Sequence, residues 1–247
     1  MNNKENKERL HIPKRLTLRE QLWIENFHGH EIPSSLKLAD EYLQLINPGS
    51  LVGDGGSGYG RVSNFLADTR GAIVIGYDIN PSGVEFARKN CPNPKVSFEV
   101  MDATLTEFSD NTFDHWEGLG LLGGVELEER KAILADVYRI VKPGGAIAVA
   151  EFKMNLDDNE QIEKYKRDKD ITGEWGSRIV RKGDKILFIG RHFTKEELIQ
   201  LLSDAGFVNI QSKEQVIESA GIGDGQMKVR MQNTVWGFKP SEPEAKN

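Results

Sequence analysis

Cysteine is almost absent from this sequence, because Cys91 is the only one among its 247 residues. A single thiol excludes an internal disulfide and any metal site built from several cysteines. Long apolar runs are missing as well, since stretches such as Ala146–Ala150 are far shorter than the roughly 20 residues that a membrane helix requires. The opening Met1–Arg9 is polar and charged and lacks the apolar segment of a signal peptide. We therefore expect a cytoplasmic protein with no membrane partner.

An excess of basic charge is missing too. Lys and Arg total 32 against 38 Asp and Glu, which gives a formal net charge of −6. Nucleic-acid binding rests largely on clustered Lys and Arg that face the phosphate backbone, so this balance argues against a nucleic-acid partner. We expect instead a monomer or homodimer that acts on a small molecule.

From Ser50 to Glu151 the sequence alternates between two kinds of segment. Short apolar runs such as Ala72–Tyr77 are typical of strands that are buried on both faces. Amphipathic segments such as Leu127–Val141 are typical of helices that cover a sheet. The alternation predicts an α/β fold with a doubly wound, mostly parallel sheet and helices on both of its faces.

Segments on either side of this alternation predict additional elements. Leu16–Ile46 has the apolar spacing of two helices, the second of which starts near Ser34. Asn155–Asp170 is typical of a polar helix, and Lys182-Gly183-Asp184 stands between two strands of a predicted hairpin. The predicted organisation is a disordered tail (1–15), a helical cap (16–49), an α/β domain (50–240) with an insert (155–191), and a second disordered tail (241–247).

Glycine is concentrated in one predicted turn between a strand and a helix, Gly53–Gly60. Two patterns overlap there: G-x-G-x-x-G from Gly53, which is the fingerprint of dinucleotide sites, and D-x-G-x-G-x-G from Asp54. The first pattern also predicts an acidic residue about 20 positions onward, where Asp78 stands. However, Asp54 would oppose an anionic pyrophosphate, and its carboxylate favours a ligand that carries a sulfonium or an ammonium group.

Two further acidic residues follow predicted strands. Asp78 ends the second strand, and its carboxylate can accept both hydroxyls of a ribose. Asn80 is better placed than Asp78 to cap the helix that follows. Asp102 comes after the third strand, where it could accept an exocyclic amine such as that of adenine or simply form a turn. The carboxyl ends of parallel strands are where open α/β sheets bind ligands.

Six segments, taken in order, resemble the motifs of the class I S-adenosylmethionine-dependent methyltransferases. Asp54–Gly60 resembles the first motif of that family, and Ile75–Asp78 resembles its acidic second motif. Met101-Asp102-Ala103 resembles the segment that contacts adenine. The remaining resemblances are Asn111-Thr112-Phe113-Asp114, Val137–Gly145 and Phe193–Phe207.

This resemblance implies a fold, a cofactor and a set of binding residues. The implied fold is Rossmann-like, with seven strands of which the last is inserted antiparallel beside the fifth. The implied cofactor is S-adenosyl-L-methionine, and its product is S-adenosyl-L-homocysteine. The residues that the resemblance assigns to the cofactor are Asp54, Gly56 and Gly58 for the methionine part, Asp78 for the ribose, and Ile79, Asp102 and Ala103 for the adenine.

Candidates for catalytic groups are few. The stretch after the fourth strand, where family members often carry a polar group, is Gly118–Gly124, which contains no acid, base or nucleophile. Glu117, just before it, could bind the amino group of the cofactor or act on the substrate, and we favour the first role. His28 and His30 are candidate bases in the break between the two predicted helices. They could equally be exposed loop residues, and no third ligand for a metal is evident.

Other side chains are candidates for the acceptor site or for the core. We expect His115 to pack in the core. Arg191 and His192 either point toward the pocket or lie in an exposed turn, and we favour the turn. The acceptor pocket is predicted between the sheet's carboxyl edge and the segments Leu16–Ile46 and Asn155–Arg191. Its candidate wall residues, for which core packing is the alternative, are Trp23, Phe27 and Trp175.

The predicted function is an S-adenosylmethionine-dependent methyltransferase that acts on a small molecule by in-line transfer. Positioning alone supplies ~7–11 kcal/mol of such a barrier, so the lack of an evident base does not argue against an enzyme. The alternatives are an RNA or protein methyltransferase, a non-catalytic regulatory protein that binds the cofactor, and a dehydrogenase. The acidic balance argues against RNA, and the Asn-Pro-Pro-Tyr tetrapeptide that resembling amide-N or amino-N methylases carry is absent.

Overall fold

The computed structural model describes residues 15–27, 35–220 and 227–241. Residues 1–14 and 242–247, nearly all of the two predicted tails, lie outside this described part. Its helices, in chain order, are α1 (Leu18–Asn26), α2 (Asp40–Leu43), α3 (Arg61–Arg70), α4 (Pro81–Asn90), α5 (Leu127–Ile140), α6 (Asn159–Thr172) and α7 (Lys195–Asp204). Its strands are β1 (Leu51–Gly55), β2 (Ile73–Asp78), β3 (Val96–Val100), β4 (Phe113–Leu119), β5 (Val141–Phe152), β6 (Ser177–Lys182), β7 (Lys185–Arg191), β8 (Val208–Ala220) and β9 (Met227–Phe238).

The main sheet has seven strands in the order β3-β2-β1-β4-β5-β9-β8. The pairs among β1 to β5 are parallel, whereas β9 lies antiparallel between β5 and β8. This arrangement confirms the predicted Rossmann-like sheet, including the last strand inserted antiparallel beside the fifth. The strands β6 and β7 form a separate antiparallel hairpin, as the sequence predicts around Lys182-Gly183-Asp184.

Helices bury both faces of this sheet. One core lies against α5 and α7, where Ile133 and Leu198 are at most 1% exposed. The other core lies against α2 and α3 and includes the fully buried Tyr42 and Leu66. The apolar run Ala146–Ala150 in β5 supplies side chains to both cores in alternation, which is why its sequence shows no polar residue.

The parallel register brings the ends of the first four strands to one edge of the sheet. Asp54 in β1 is paired with Glu117 in β4, and Asp78 at the end of β2 is paired with Val100 at the end of β3. Asp102 follows Val100 in the loop after β3. The acidic residues singled out at strand ends therefore share the carboxyl edge of the sheet, where open α/β folds bind ligands.

The predicted start of the second cap helix is wrong, because α2 begins at Asp40 rather than near Ser34. Lys37, just before α2, lies in extended chain that is tied to β9. Its backbone N–H donates to Oε1 of Gln232 at 3.1 Å, and its carbonyl accepts from Nε2 of the same side chain at 2.6 Å. Since these backbone groups of Lys37 bond to β9, they do not form helical hydrogen bonds.

The insert meets α1 above the carboxyl edge. Leu22 of α1 packs against Ile179 of β6 and Ile189 of β7 in a small apolar cluster. The insert's helix α6 starts later than the predicted Asn155, because the side chain of Asp158 caps it by accepting the N–H groups of residues 160 and 161. Among the helices of the described residues, none combines the length and apolar character that crossing a bilayer demands.

Candidate active site

The turn between β1 and α3 is built from glycines in left-handed backbone. The φ angles of Gly56, Gly58 and Gly60 are +69°, +54° and +83°. At Gly58 an added Cβ would meet nothing within 4 Å, so this part of the turn faces open space. At Gly60 a Cβ would lie 2.4 Å from the Phe98 ring, so packing alone excludes a side chain there. Cys91 borders the turn, with its Sγ 3.7 Å from the carbonyl oxygen of Gly60.

Asp78 is buried at the end of β2 and is held by three donors. Its Oδ2 accepts the backbone N–H of Gly58 at 2.9 Å. Its Oδ1 accepts the backbone N–H of Asn80 at 2.8 Å and the indole Nε1–H of Trp23 at 3.2 Å. Burial raises the pKa of Asp78, while these hydrogen bonds act in the opposite direction. The bond from Gly58 fixes the glycine turn against the carboxylate that follows β2.

Asp102 forms a turn and also faces the site. Its Oδ1 accepts the backbone N–H of Thr104 at 2.8 Å and the hydroxyl of Thr104 at 2.7 Å. The same residue lines a cavity together with Ala103 and Ile79. The turn role and the ligand-facing position, which the sequence presents as alternatives, therefore occur together.

A single cavity gathers most of the residues that the sequence points to. It measures about 680 Å³ with the open solvent at its mouth included. Its lining includes Gly56, Asp78, Ile79, Asp102 and Ala103. The other lining residues are Glu20, Trp23, Tyr77, Met101, Thr104, Leu119, Gly120, Leu121, Gly124, Val125, Ile133 and Phe188.

Asp54 and Glu117 are buried side by side and lie outside the set of described residues that line the cavity. Oδ2 of Asp54 accepts the hydroxyl of Ser63 at 2.5 Å. Burial raises the pKa of Asp54 to about 6 and that of Glu117 well above its ordinary value, and the charge of Asp54 adds to the second rise. Asp54 and Glu117 are thus two neighbouring buried carboxyl groups, of which Asp54 receives the Ser63 hydroxyl. Such a pair favours either a bound cationic ligand or a carboxyl group that keeps its proton.

Aromatic side chains from two elements roof the cavity. The ring of Trp23 in α1 lies 4.8 Å from that of Phe27 and 5.8 Å from that of Phe188 in β7, measured between centroids. Trp23 and Phe188 line the cavity, and Phe27 supports them from behind. The N-terminal cap and the insert therefore both contribute to the roof.

Known proteins share this sequence pattern and this fold. A family model for a methyltransferase domain matches residues 52–145, from β1 into β5. A SAM-dependent methyltransferase structure from Methanosarcina mazei superposes with a TM-score of 0.74 and 29% sequence identity, covering 84% of this chain and 100% of that one. Residues 52–145 therefore form a methyltransferase domain, and the fold is similar to that of the class I S-adenosylmethionine-dependent methyltransferases. S-adenosylmethionine is the cofactor of this methyltransferase, as the sequence resemblance predicts.

Curated relatives of the methyltransferase have lower sequence identity than the Methanosarcina mazei structure, and some are much longer than the matched segment. A 2-methyl-6-phytyl-1,4-hydroquinone methyltransferase of Synechocystis is 27% identical over 187 residues, which are 75% of this chain and 50% of that protein. A phosphoethanolamine N-methyltransferase of Plasmodium falciparum is 25% identical over 221 residues, 78% of either chain. A sterol 24-C-methyltransferase of Schizosaccharomyces pombe is 27% identical over 157 residues. The chain spans half of the hydroquinone methyltransferase and 41% of the sterol methyltransferase.

The groups at the carboxyl edge of the methyltransferase fit S-adenosylmethionine. Within the described residues, neither carboxylate oxygen of Glu117 has a hydrogen-bond partner although both are buried, which suits an ammonium group. The hydroxyl of Ser57 in the glycine turn is likewise buried without a partner. The open space at Gly58 leaves room for a ligand against the backbone. Asp54 and Glu117 together would repel the pyrophosphate of a dinucleotide.

A buried cluster of charges holds the roof of the methyltransferase to its body. Glu174, just before β6, forms ion pairs with Arg19 of α1 at 2.8 Å, with Arg191 of β7 at 3.1 Å and with Arg130 of α5. Arg19 and Arg130 also donate to the carbonyl of Val125, a residue that lines the cavity. The cap, the insert and one wall of the cavity are therefore joined through one carboxylate, which sequence spacing does not reveal.

The expectation that Arg191 and His192 lie in an exposed turn is wrong. The side chain of Arg191 is 10% exposed and pairs with Glu197 at 2.5 Å. His192 packs behind the hairpin, where its Nδ1 lies 2.8 Å from the hydroxyl of Tyr165. Burial and then the positive charge of Arg178 lower the pKa of His192 to about 3. Arg191 ends β7 and His192 follows it, and the contact of His192 with Tyr165 of α6 is not one that local sequence predicts.

The remaining candidates lie in several places. His115 is buried in the core with its ring 6.1 Å from that of Tyr42, as predicted. Trp175 packs against Tyr165 with ring centroids 5.8 Å apart and is not among the described residues that line the cavity. His28 and His30 lie outside the described residues. Phe188, which the sequence analysis does not single out, carries no signal beyond its place in an apolar strand of the hairpin.

Proposed function

We propose that this chain transfers the methyl group of S-adenosylmethionine to a small-molecule acceptor. The observation that carries the proposal is the single cavity at the carboxyl edge, with acids at its base and aromatic rings over it. A cavity partly covered by the rings of Trp23 and Phe188 suits a compact acceptor better than a polymer surface. The names of the relatives, which refer to a hydroquinone, phosphoethanolamine and a sterol, support a small acceptor.

The nucleoside part of the cofactor is assigned to four cavity residues. Asp78 binds the ribose hydroxyls through its carboxylate, which is already oriented by the bond from Gly58. Ile79 and Ala103 provide apolar surfaces for the two faces of adenine, and Asp102 accepts its exocyclic amine. This division is the one that the family resemblance implies, and the residues lie in that order along the edge, from β2 to the loop after β3.

The methionine part is assigned to the glycine turn and the buried acids. Gly56 and Gly58 bring the backbone close to the ligand, and Asp54 lies beneath them at the end of β1. Glu117 takes the ammonium group, because its two oxygens are buried without a partner among the described residues. When bound, the cofactor supplies a methyl group activated on a sulfonium. The protein's task is to hold donor and acceptor in line and to exclude water.

The acceptor is proposed to bind between the carboxyl edge, the cap (16–46) and the insert (155–191). Support comes from α1 and β7, which both reach the cavity through Trp23 and Phe188. His28 and His30 are kept as candidate bases because they stand in the chain between Phe27, whose carbonyl accepts from Asn80, and Leu36, whose carbonyl accepts from Arg61.

The proposal is tested by following a labelled methyl group. The protein is incubated with methyl-labelled S-adenosylmethionine and, in parallel, with metabolite, RNA and protein fractions of a cell extract. We expect label in the metabolite fraction. Gly58→Val is the control, because a β-branched residue at φ +54° is strained and its side chain fills the open space at the turn. This variant should remain folded and transfer no label.

Calorimetric titration with S-adenosylhomocysteine and with NAD separates the alternatives. Label in RNA or protein alone would replace the small-molecule proposal by the corresponding macromolecular one. Binding of S-adenosylhomocysteine without transfer to any fraction would favour a non-catalytic regulatory protein. Binding of NAD in its place would overturn the assignment of the site.

A further inference from the structure

Asp78 has fewer acceptor positions left than a ribose requires. An ionised carboxylate offers about four lone-pair positions. The backbone N–H groups of Gly58 and Asn80 and the indole N–H of Trp23 fill three of them. Two ribose hydroxyls that both donate to this carboxylate need two positions. One of the present donors must therefore give way when a nucleoside binds.

Trp23 is the donor that can move. The N–H groups of Gly58 and Asn80 are fixed, because one belongs to the glycine turn and the other starts α4, whose first N–H groups bond to the Asn80 side chain. The Trp23 bond is the longest of the three at 3.2 Å, and it comes from a side chain that is half-buried at the roof of the cavity. The neighbouring rings of Phe27 and Phe188 meet it at tilted angles, without face-to-face stacking.

An indole N–H that leaves Asp78 needs another acceptor. Indole nitrogen is a donor only, and a buried one left without a partner is costly. A hydroxyl group can both donate and accept. We propose that one ribose hydroxyl enters between the two side chains, donating to Asp78 while it accepts the Nε1–H of Trp23. Trp23 is then a positioning residue for the ribose hydroxyl, in addition to its place in the roof.

The surroundings of α1 allow this exchange without loss of the helix. Two hydrogen bonds in series span more than the 3.2 Å that now separates Nε1 from Oδ1, so the indole withdraws by roughly 1–2 Å. The helix itself stays in place, because Arg19 ties it to Glu174 and to the carbonyl of Val125. This inference rests on the proposed assignment of Asp78 to the ribose.

The test compares Trp23→Phe with the wild-type protein in titrations with S-adenosylhomocysteine and with its 2′-deoxy and 3′-deoxy analogues. Phenylalanine keeps an aromatic ring in the roof and removes the N–H. We expect the variant to bind S-adenosylhomocysteine within about threefold of the wild type, because the wild-type indole exchanges its bond to Asp78 for one to the hydroxyl and the variant makes neither bond. Against the analogue that lacks the contacted hydroxyl, wild type and variant should bind equally.

Phe27→Leu is the matched control, since it removes a ring from the same roof but no hydrogen bond. It should change the affinity for all three ligands by the same factor. Binding of S-adenosylhomocysteine by Trp23→Phe that is tenfold tighter or more would overturn the proposal, because the indole would then merely compete with the ribose and find no new acceptor. If the wild type binds none of the ligands, the assignment of Asp78 itself fails.

A second measurement uses the wild-type protein alone and holds even if the variant does not fold. In ¹⁵N-labelled protein, the indole resonance of Trp23 is assigned through its contacts with the rings of Phe27 and Phe188. S-adenosylhomocysteine should shift this resonance and protect its proton from exchange. The same shift with the analogue that lacks the hydroxyl would contradict the inference.

Discussion

At the scale of single residues, the site combines groups that are costly to bury. Asp54 is 2% exposed and has the Ser63 hydroxyl as its close donor. Its folded-state pKa of about 6 lies above the ordinary value of 3.8. A carboxyl group whose pKa is raised by folding ionises at a lower pH in the unfolded chain than in the folded protein. Its contribution to stability therefore falls as the pH rises from about 4 to 6 and stays low above that range.

Asp54→Asn should therefore stabilise the ligand-free protein at pH 7. The expected gain in the free energy of unfolding is up to about 3 kcal/mol, because the amide keeps an acceptor for Ser63 and carries no charge. Urea unfolding at pH 7 and near pH 4 measures this, and the gain should shrink at the lower pH. A gain that is equal at both pH values would mean that the charge of Asp54 is not its source.

The same acids predict how cofactor affinity depends on pH. Glu117 and Asp54 hold their protons more strongly than exposed carboxyl groups do, and an ammonium group beside them favours their ionised forms. Binding then releases protons, so the affinity for S-adenosylhomocysteine should rise with pH across the region near 6. Titration calorimetry in buffers of different ionisation enthalpy measures the release. In Asp54→Asn the release should decrease, and an undiminished release would assign it to other groups.

At the scale of elements, Glu174 joins α1, the insert and α5. Glu174→Gln would leave Arg19, Arg130 and Arg191 without their shared carboxylate. Removing one partner of a buried ion pair lowers the free energy of unfolding by about 3–5 kcal/mol. Because Glu174 is partly exposed, we expect a loss near the lower end of this range. Because α1 carries part of the roof, we also expect weaker binding of S-adenosylhomocysteine at a temperature where the variant is folded.

Asp136→Asn is the matched control for this prediction. Asp136 is 6% exposed and pairs with Arg139 at 2.7 Å, and neither residue lines the cavity among the described residues. Its loss should lower the free energy of unfolding without changing the affinity for S-adenosylhomocysteine. Equal losses of affinity in the two variants would show that general destabilisation, rather than the position of α1, controls binding.

At the scale of the whole molecule, the sheet and its ligand edge follow from local patterns. The run Ala146–Ala150 identifies a strand buried on both faces, and Gly53–Gly60 identifies a turn that borders the candidate site. Asp78 and Asp102 stand after predicted strands, so the parallel fold alone brings them to one edge. These features depend on residues that are neighbours in the sequence, and for that reason the sequence alone predicts them.

Contacts between residues that are far apart in the sequence cannot be predicted in this way. Glu174 meets Arg19 across 155 positions of the chain, and no periodicity connects them. His192 is half-buried because its ring contacts Tyr165 of α6, a contact that its neighbours in the sequence do not indicate. Strand β9 extends back to Met227, because pairing with β8 supports polar residues that in isolation indicate a loop.

The position of Cys91 has a practical consequence. This only thiol of the chain is half-buried and borders the glycine turn, with its Sγ 3.7 Å from the Gly60 carbonyl and 3.8 Å from that of Tyr59. A small fluorine-bearing tag attached there would need no engineered cysteine and would have no competing site of attachment. Its ¹⁹F spectrum would report on the turn from the side away from the roof, while the indole of Trp23 reports from the roof itself.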